Sequence, residues 1–191
     1  MNWAQHPDIQ ATAQAIADGG VVAYPTEAVW GLGCDPNNVE AIQRLLAIKD
    51  RPQHKGLILV AASIAQLEPY LQRLSPEQRQ TLEQGWPGPI TWLVPDEEAA
   101  SPWVRGEHNS VALRVSAHPV VAGLCQAYGG PIVSTSANRS GDPPARDAAT
   151  VRRYFPEELA AVTPGEVGEA AEPSEIRDLL TGIVLRGGKR P

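Results

Sequence analysis

VALRVSAHPVVAGLCQAYGGPIVSTSAN, residues 111–138, holds a strand, a helix and a second strand in that order. Val111 to Val115 is apolar except for Arg114 and reads as a strand. His118-Pro119 opens a helix that runs to Tyr128, because proline fits the first helical turn. Pro131 to Ser134 is a second strand, and it runs on into the polar end Ser134-Thr135-Ser136-Ala137-Asn138. Strands interleaved with helices imply an α/β sheet with helices packed on it.

The same alternation extends outward in both directions. Asp8 to Ala17 carries a helical apolar stripe that Gly19-Gly20 stops, and Val21 to Tyr24 follows as a buried strand ended by Pro25. Asn38 caps a helix to about Lys49, with Ala41, Ile42, Leu45, Leu46 and Ile48 as its buried face. Leu57 to Ala61 is a strand, a short helix starts at Ser63, and Ser75-Pro76-Glu77 starts another. Ile90 to Val94 is strand-like, and Ala148 to Tyr154 is helical. The tail alternates short strands with turns and ends in Gly182-Ile183-Val184-Leu185-Arg186. Two stretches read as loops. In Thr26 to Asp35 closely spaced glycines break the period, and Asp96 to Asn109 mixes charges with Pro102 and Gly106. No repeat or composition shift divides the chain, so residues 1–191 are expected to form a single domain with mixed strand directions.

Composition narrows the function. The 17 glycines and 18 prolines among 191 residues favour short strands and turns over a helical bundle. A formal charge of −6 argues against a protein whose main task is wrapping nucleic acid. The two cysteines, Cys34 and Cys125, have no metal-ligand spacing and read as free thiols. The N-terminus shows neither a basic n-region nor a long apolar run, so neither a signal peptide nor a membrane span is expected, and the cytoplasm follows.

Four groups of residues could carry chemistry. Lys49-Asp50-Arg51-Pro52-Gln53-His54-Lys55-Gly56 puts three bases at a helix end. They suit either the helix dipole or a polyphosphate, with Lys49, Arg51 and Lys55 converging. The hydroxyl-rich strand end around Ser134, Ser136 and Asn138 is either an ordinary turn or a phosphate cradle beyond a carboxyl strand end. Arg114, alone among apolar neighbours, must reach solvent, find a partner or clamp a carboxylate. Tyr24-Pro25-Thr26-Glu27, a strand end with a proline and a hydroxyl, could place polar groups over a small ligand. No P-loop or dinucleotide fingerprint is present, and no nucleophile with a base can be assembled from His6, His54, His108 and His118.

Taken together, these segments closely resemble the YrdC/TsaC family of threonylcarbamoyl-AMP synthases. The matching runs are Ala23 to Asp35, Lys49 to Pro52, Lys55 to Leu59, Trp86 to Thr91, Leu113 to Val115, Ser134 to Gly141, Pro173 to Asp178, and the Arg186 ending. They span residues 9 to 187, and the chain looks like the short type that lacks an extra C-terminal domain. The resemblance implies an open twisted mixed α/β sheet with flanking helices and a large concave ligand-binding face. It implies condensation of L-threonine, bicarbonate and ATP, with Mg²⁺ accompanying the ATP, to L-threonylcarbamoyladenylate and pyrophosphate. The product feeds the threonylcarbamoyladenosine modification of tRNA through TsaD/TsaB/TsaE-type proteins. Under it Lys49 and Arg51 are the catalytic residues. Lys49, Arg51, Lys55, Ser110, Ser136, Asn138 and Arg186 bind ATP, and Thr26, Arg114, Ser134 and Ser174 bind threonine. No residue set for a protein-held metal is expected, and the chain is expected to be a monomer.

Two other readings compete. A basic-lined concavity could bind tRNA or other RNA directly and weakly, since the same bases serve phosphates of either kind. A carbamoyl-phosphate-using domain of the hydrogenase-maturation type would come with acylphosphatase and zinc-finger segments that this sequence does not show.

Overall fold

The computed structural model describes residues 2–187. In chain order it contains α1 (Pro7–Ala17), β1 (Val22–Pro25), β2 (Trp30–Gly33), α2 (Val39–Lys49), β3 (Ile58–Ala61), α3 (Ile64–Leu71), α4 (Pro76–Gly85) and β4 (Ile90–Pro95). Then come α5 (Pro102–Arg105), β5 (Ser110–Val115), α6 (Pro119–Tyr128), β6 (Ile132–Ser136), α7 (Ala148–Tyr154), β7 (Ala161–Val162), β8 (Glu175–Asp178) and β9 (Val184–Arg186). The strands form one sheet in the order β7-β1-β2-β6-β3-β5-β4-β8-β9. β1/β7, β3/β5 and β4/β8 are parallel and the remaining pairs antiparallel, so the expected open mixed α/β sheet is what forms.

Local chemistry sets the helix boundaries. The Asn38 side chain accepts from the Ala41 N–H at the start of α2, and Ser75 with Gln78 closes a reciprocal capping box on α4. α1, α4 and α6 each begin with proline in the first turn.

Two expected loops prove to be structured. Within Thr26 to Asp35, β2 runs antiparallel to β1, and its period of two was hidden by the glycines. Trp30 and Leu32 enter the core. On the other side, a Cβ on Gly33 would lie 2.4 Å from the Val133 carbonyl and 2.8 Å from the Tyr24 ring. These glycines let Tyr24 lie across the strand, where its hydroxyl donates to Val133 O at 3.1 Å. Within Asp96 to Asn109, Asp96 is buried and accepts from the Ala99 and Ala100 N–H groups, while Arg105 pairs with it at 3.3 Å. That pairing folds the single turn α5 back and buries Val104. One turn is too short to show helical periodicity.

The two sheet faces are covered differently. Leu59, Leu113 and Val133 point to one face, where they pack with Trp30, Leu32 and the α2 residues Ala41, Ile42 and Leu45. The opposite face presents Val22, Tyr24, Val60 and Ile132 to Ile9 and Ile16 of α1 and to Val121 and Leu124 of α6. Those two helices cover only part of that face. Ile58 pairs with Ser134 across β3/β6, Val60 with Arg114 across β3/β5, and Gly31 with Ser136 across β2/β6. Paired residues share a face, so Ile58, Arg114, Ser134, Gly31 and Ser136 pave its uncovered part. Among the described residues, no helix is long and apolar enough to cross a membrane.

Candidate active site

The uncovered patch is the floor of a hollow of about 280 Å³. The Thr26–Val29 segment leaving β1 makes one wall and the Ala170–Ser174 segment approaching β8 makes another. Arg51, two residues beyond α2, and Arg186, on β9, project at its margin. The hollow thus opens over the sheet face itself.

Three guanidinium groups meet here. Arg114 forms an ion pair with Glu27, whose other oxygen accepts from the Ser116 hydroxyl at 2.8 Å and the Ala117 N–H at 3.0 Å. Burial alone would raise the Glu27 pKa, but the Arg114 charge and these hydrogen bonds outweigh it and hold the carboxyl below its ordinary value. Arg114 also donates through Nε to Gly88 O at 3.2 Å. Arg51 donates to Gly56 O at 2.9 Å, and burial lowers its pKa. Arg186 donates to Ser174 O at 3.1 Å. Burial of its guanidinium lowers its pKa, and the charges of Arg114 and Arg51 add to the effect. Like charges gathered this closely make a site that an anion would relieve.

Lys49 occupies a different place from the one expected. It extends the buried face of α2 where Ile48 is only half-buried, and it is itself 5% exposed. Its ammonium donates to Ser136 O, to Asn138 O at 2.8 Å and to Asn138 Oδ1 at 3.4 Å. Burial, helped by the Arg51 charge, pulls its pKa down to about 8. Asn138 turns its side chain into its own turn, accepting from Ser136 Oγ at 2.6 Å and donating to Arg139 O and Asp142 O. Lys49 therefore ties the end of α2 to the turn that presents Ser136.

Of the eleven site residues expected from sequence, Thr26, Arg51, Arg114, Ser134, Ser136, Ser174 and Arg186 line the hollow. Lys55 and Ser110 line an adjoining hollow of about 150 Å³ that also reaches Arg51 and Arg186. Lys49 and Asn138 line neither. Sequence reasoning left Glu27 without a role of its own: Arg114 in an apolar strand demands a counter-charge, but Glu27 follows β1, which three strands separate from β5 in the sheet. The wall at Ala170 and Glu172 carries no sequence signal, whereas Pro173 opens the run that ends at Asp178. His118, read from sequence as structural, has a buried ring that meets Glu166 O at 3.0 Å, and burial lowers its pKa. Both cysteines are free and buried, which pushes their thiols up to about 12. Among the described residues, no group of three or more His, Cys, Asp or Glu is placed to hold a metal ion.

A family model named Sua5/YciO/YrdC, with the description "Telomere recombination", matches residues 14–188. The chain belongs to the Sua5/YciO/YrdC family. A relative from Cellvibrio japonicus (strain Ueda107) named threonylcarbamoyl-AMP synthase is 54% identical over 186 residues, covering 97% of this chain and 98% of its own. A second of the same name, from Chromohalobacter salexigens, is 54% identical over 185 residues, covering 93% and 100%. Among solved structures, P. abyssi Sua5 complexed with L-threonine superposes with a TM-score of 0.87 at 32% identity over 93% of this chain. The chain spans 53% of that longer protein. E. coli YciO, at 22% identity and a TM-score of 0.82 over 93% of this chain and 87% of its own, shares the Sua5/YciO/YrdC fold.

Proposed function

We propose that this chain is a threonylcarbamoyl-AMP synthase, condensing L-threonine, bicarbonate and Mg·ATP to L-threonylcarbamoyladenylate and pyrophosphate. The observation that carries this is the convergence of Arg51, Arg114 and Arg186 over the Ser134–Ser136 floor. It stands in a chain 54% identical over nearly its whole length to a synthase of that name.

The chemistry asks for positioning and charge neutralisation rather than a protein nucleophile. The amine of threonine takes up CO2 derived from bicarbonate and loses a proton, giving a carbamate. A carbamate oxygen then attacks the α-phosphorus, and the bond to the bridging oxygen breaks as pyrophosphate leaves. Arg114 pairs the threonine carboxylate; a guanidinium has five N–H donors, so it can hold that group and Glu27 together. Glu27 stays ionised and faces the amine. Thr26, Ser134 and Ser174 surround the amino acid. Arg51 and Lys55 neutralise the charge of the departing pyrophosphate, while Ser110, Ser136 and Arg186 hold the rest of ATP. Asn138 acts through Ser136, and Lys49 fixes their shared turn. Mg²⁺ would accompany the nucleotide substrate and help neutralise its phosphates. TsaD/TsaB/TsaE-type proteins would take the adenylate onward.

Pyrophosphate release, followed while threonine, bicarbonate and ATP are omitted in turn, tests the reaction. All three should be required, and Arg51→Ala should abolish release while the fold persists. Release without threonine, or an Arg51→Ala variant turning over near the wild-type rate, would refute the assignment.

A further inference from the structure

His118 is buried without serving its own helix. It stands at the start of α6, 7% exposed, and its side chain caps no backbone group there. Its ring nitrogen Nε2 lies 3.0 Å from Glu166 O. A carbonyl only accepts, so Nε2 carries the proton. Nδ1 is then a bare acceptor, buried with no donor to meet it. Burial lowers the pKa of the ring and keeps it neutral at pH 7. An apolar ring of similar size would fill this space and leave no acceptor unpaired. Packing alone therefore does not account for an imidazole here, whereas its one hydrogen bond does.

That bond falls on an irregular segment. Residues 163–174 connect β7 to β8 without regular structure. The Gly168 N–H donates to Thr26 O at 2.9 Å and the Ala170 N–H to Glu27 O at 3.0 Å, so the segment runs along the main chain of Thr26 and Glu27. A Cβ on Gly168 would lie 2.9 Å from Glu27 O, a measure of how closely the two pass. From Ala170 onward the segment is the wall of the hollow. Among the described residues, two side chains donate to its carbonyls before Ser174: His118 to Glu166 O, and Arg146 to Ala171 O at 2.8 Å. His118 also reaches Glu27 from the other side. Its backbone N–H donates to Ser116 Oγ at 3.1 Å, and Ser116 Oγ donates to Glu27 Oε1 at 2.8 Å.

Resting on the proposed reaction, we infer that His118 is a positioning residue for the amino-acid site: by holding Glu166 it sets the wall, and the main chain of Glu27, against the hollow. The imidazole lines no part of the hollow itself. It joins the turn between β5 and α6, which carries Ser116 and follows Arg114, to the segment that closes on Thr26 and Glu27. Both sides of the Arg114–Glu27 pair are thereby fixed to one residue. Without the Nε2 donor, Glu166 O is left to water, the bonds at Gly168 and Ala170 loosen, and the wall no longer holds Glu27 and Ser174 in place.

Two substitutions in the full chain separate the donor from the ring. His118→Phe keeps an aromatic ring and removes both nitrogens, while His118→Gln keeps an N–H donor at the reach of Nε2. Amide hydrogen exchange at Gly168 and Ala170 should speed up about 3- to 10-fold in His118→Phe, the worth of one hydrogen bond, and return toward wild type in His118→Gln. The KM for threonine in the pyrophosphate assay should rise about 3- to 10-fold in His118→Phe with kcat within about twofold, and His118→Gln should restore it. The melting temperature of His118→Phe should not fall, because the orphaned Nδ1 is gone. A lower melting temperature with exchange and KM unmoved would make the ring plain core packing and overturn the inference. So would a His118→Phe variant that does not fold, or a His118→Gln variant no better than His118→Phe. Exchange that responds as expected in a protein releasing no pyrophosphate defeats the proposed reaction but leaves the tie to Glu166 standing. Normal release by both variants with exchange unmoved does the reverse.

Discussion

Replacing Lys49 with methionine would remove a charge and keep the side-chain length, and its consequences follow from the surroundings of the ammonium. The fold pulls the Lys49 pKa from 10.5 to about 8. That depression means the charged form is disfavoured by about 3 kcal/mol relative to water. Lys49→Met escapes this cost but leaves Asn138 O without its donor, while Ser136 O keeps the Asn138 N–H. A buried orphan carbonyl costs about 1–3 kcal/mol. At pH 7 the two effects partly cancel, and the variant should lie between wild-type stability and about 2 kcal/mol more stable. The informative quantity is the pH dependence. Between pH 8 and 10.5 the unfolded chain binds more protons at this position than the folded chain, so wild-type stability rises with pH in that window. From pH 7 to 9.5 the rise amounts to about 2 kcal/mol, and Lys49→Met should lack it. Urea denaturation of both proteins at several pH values gives the difference directly, with other titrating groups cancelling. Parallel stability curves would show that the ammonium is not buried as described, and the tie between α2 and the Ser136 turn would have to be abandoned.

Arg114→Ala should raise the KM for threonine roughly 10- to 100-fold, the worth of a charge-assisted hydrogen bond, and leave the KM for ATP near wild type in a pyrophosphate assay. Glu27 has a folded pKa below 4.5, so its contribution to stability is present above that value and is lost as pH falls through the depressed one. Melting temperatures followed from about pH 6 to 3 should therefore fall less steeply in Glu27→Gln than in wild type. Gly33→Ala forces a Cβ to within 2.4 Å of Val133 O, and β2 must shift. Equilibrium denaturation should show a loss of about 1–3 kcal/mol.

The sequence was legible wherever a physical pattern was longer than a few residues. The stripe of α2, its Asn38 cap and the proline-led starts of α4 and α6 all lie where periodicity and capping placed them. β2 escaped because glycines usually punctuate turns, whereas here Gly31 and Gly33 make room for a tyrosine that another strand supplies. α5 escaped because an Asp96–Arg105 pair, not an apolar stripe, fixes it. At the site, residue type was informative and orientation was not. Arg51, Arg114 and Ser136 do face one hollow, whereas Lys49, in the same basic run as Arg51, turns the other way to complete the α2 core. Nothing local distinguishes those two directions, because the acceptors that draw Lys49 inward arrive from residues 136–138, far along the chain.

The alternation along β3, β5 and β6 has a consequence for what this protein can tolerate. On each strand one set of side chains anchors the molecule while the interleaved set lines the hollow: Leu59 and Ile58, Leu113 and Arg114, and Val133 and Ser134 are neighbours with opposite duties. Sliding β5 by a single residue would sink a guanidinium into hydrocarbon and turn leucine into the hollow. Strand alignment is thus a catalytic specification as much as a folding one. Insertions or deletions within these three strands should be lethal to activity, while the substrate-facing positions remain open to exchange at little expense to the core.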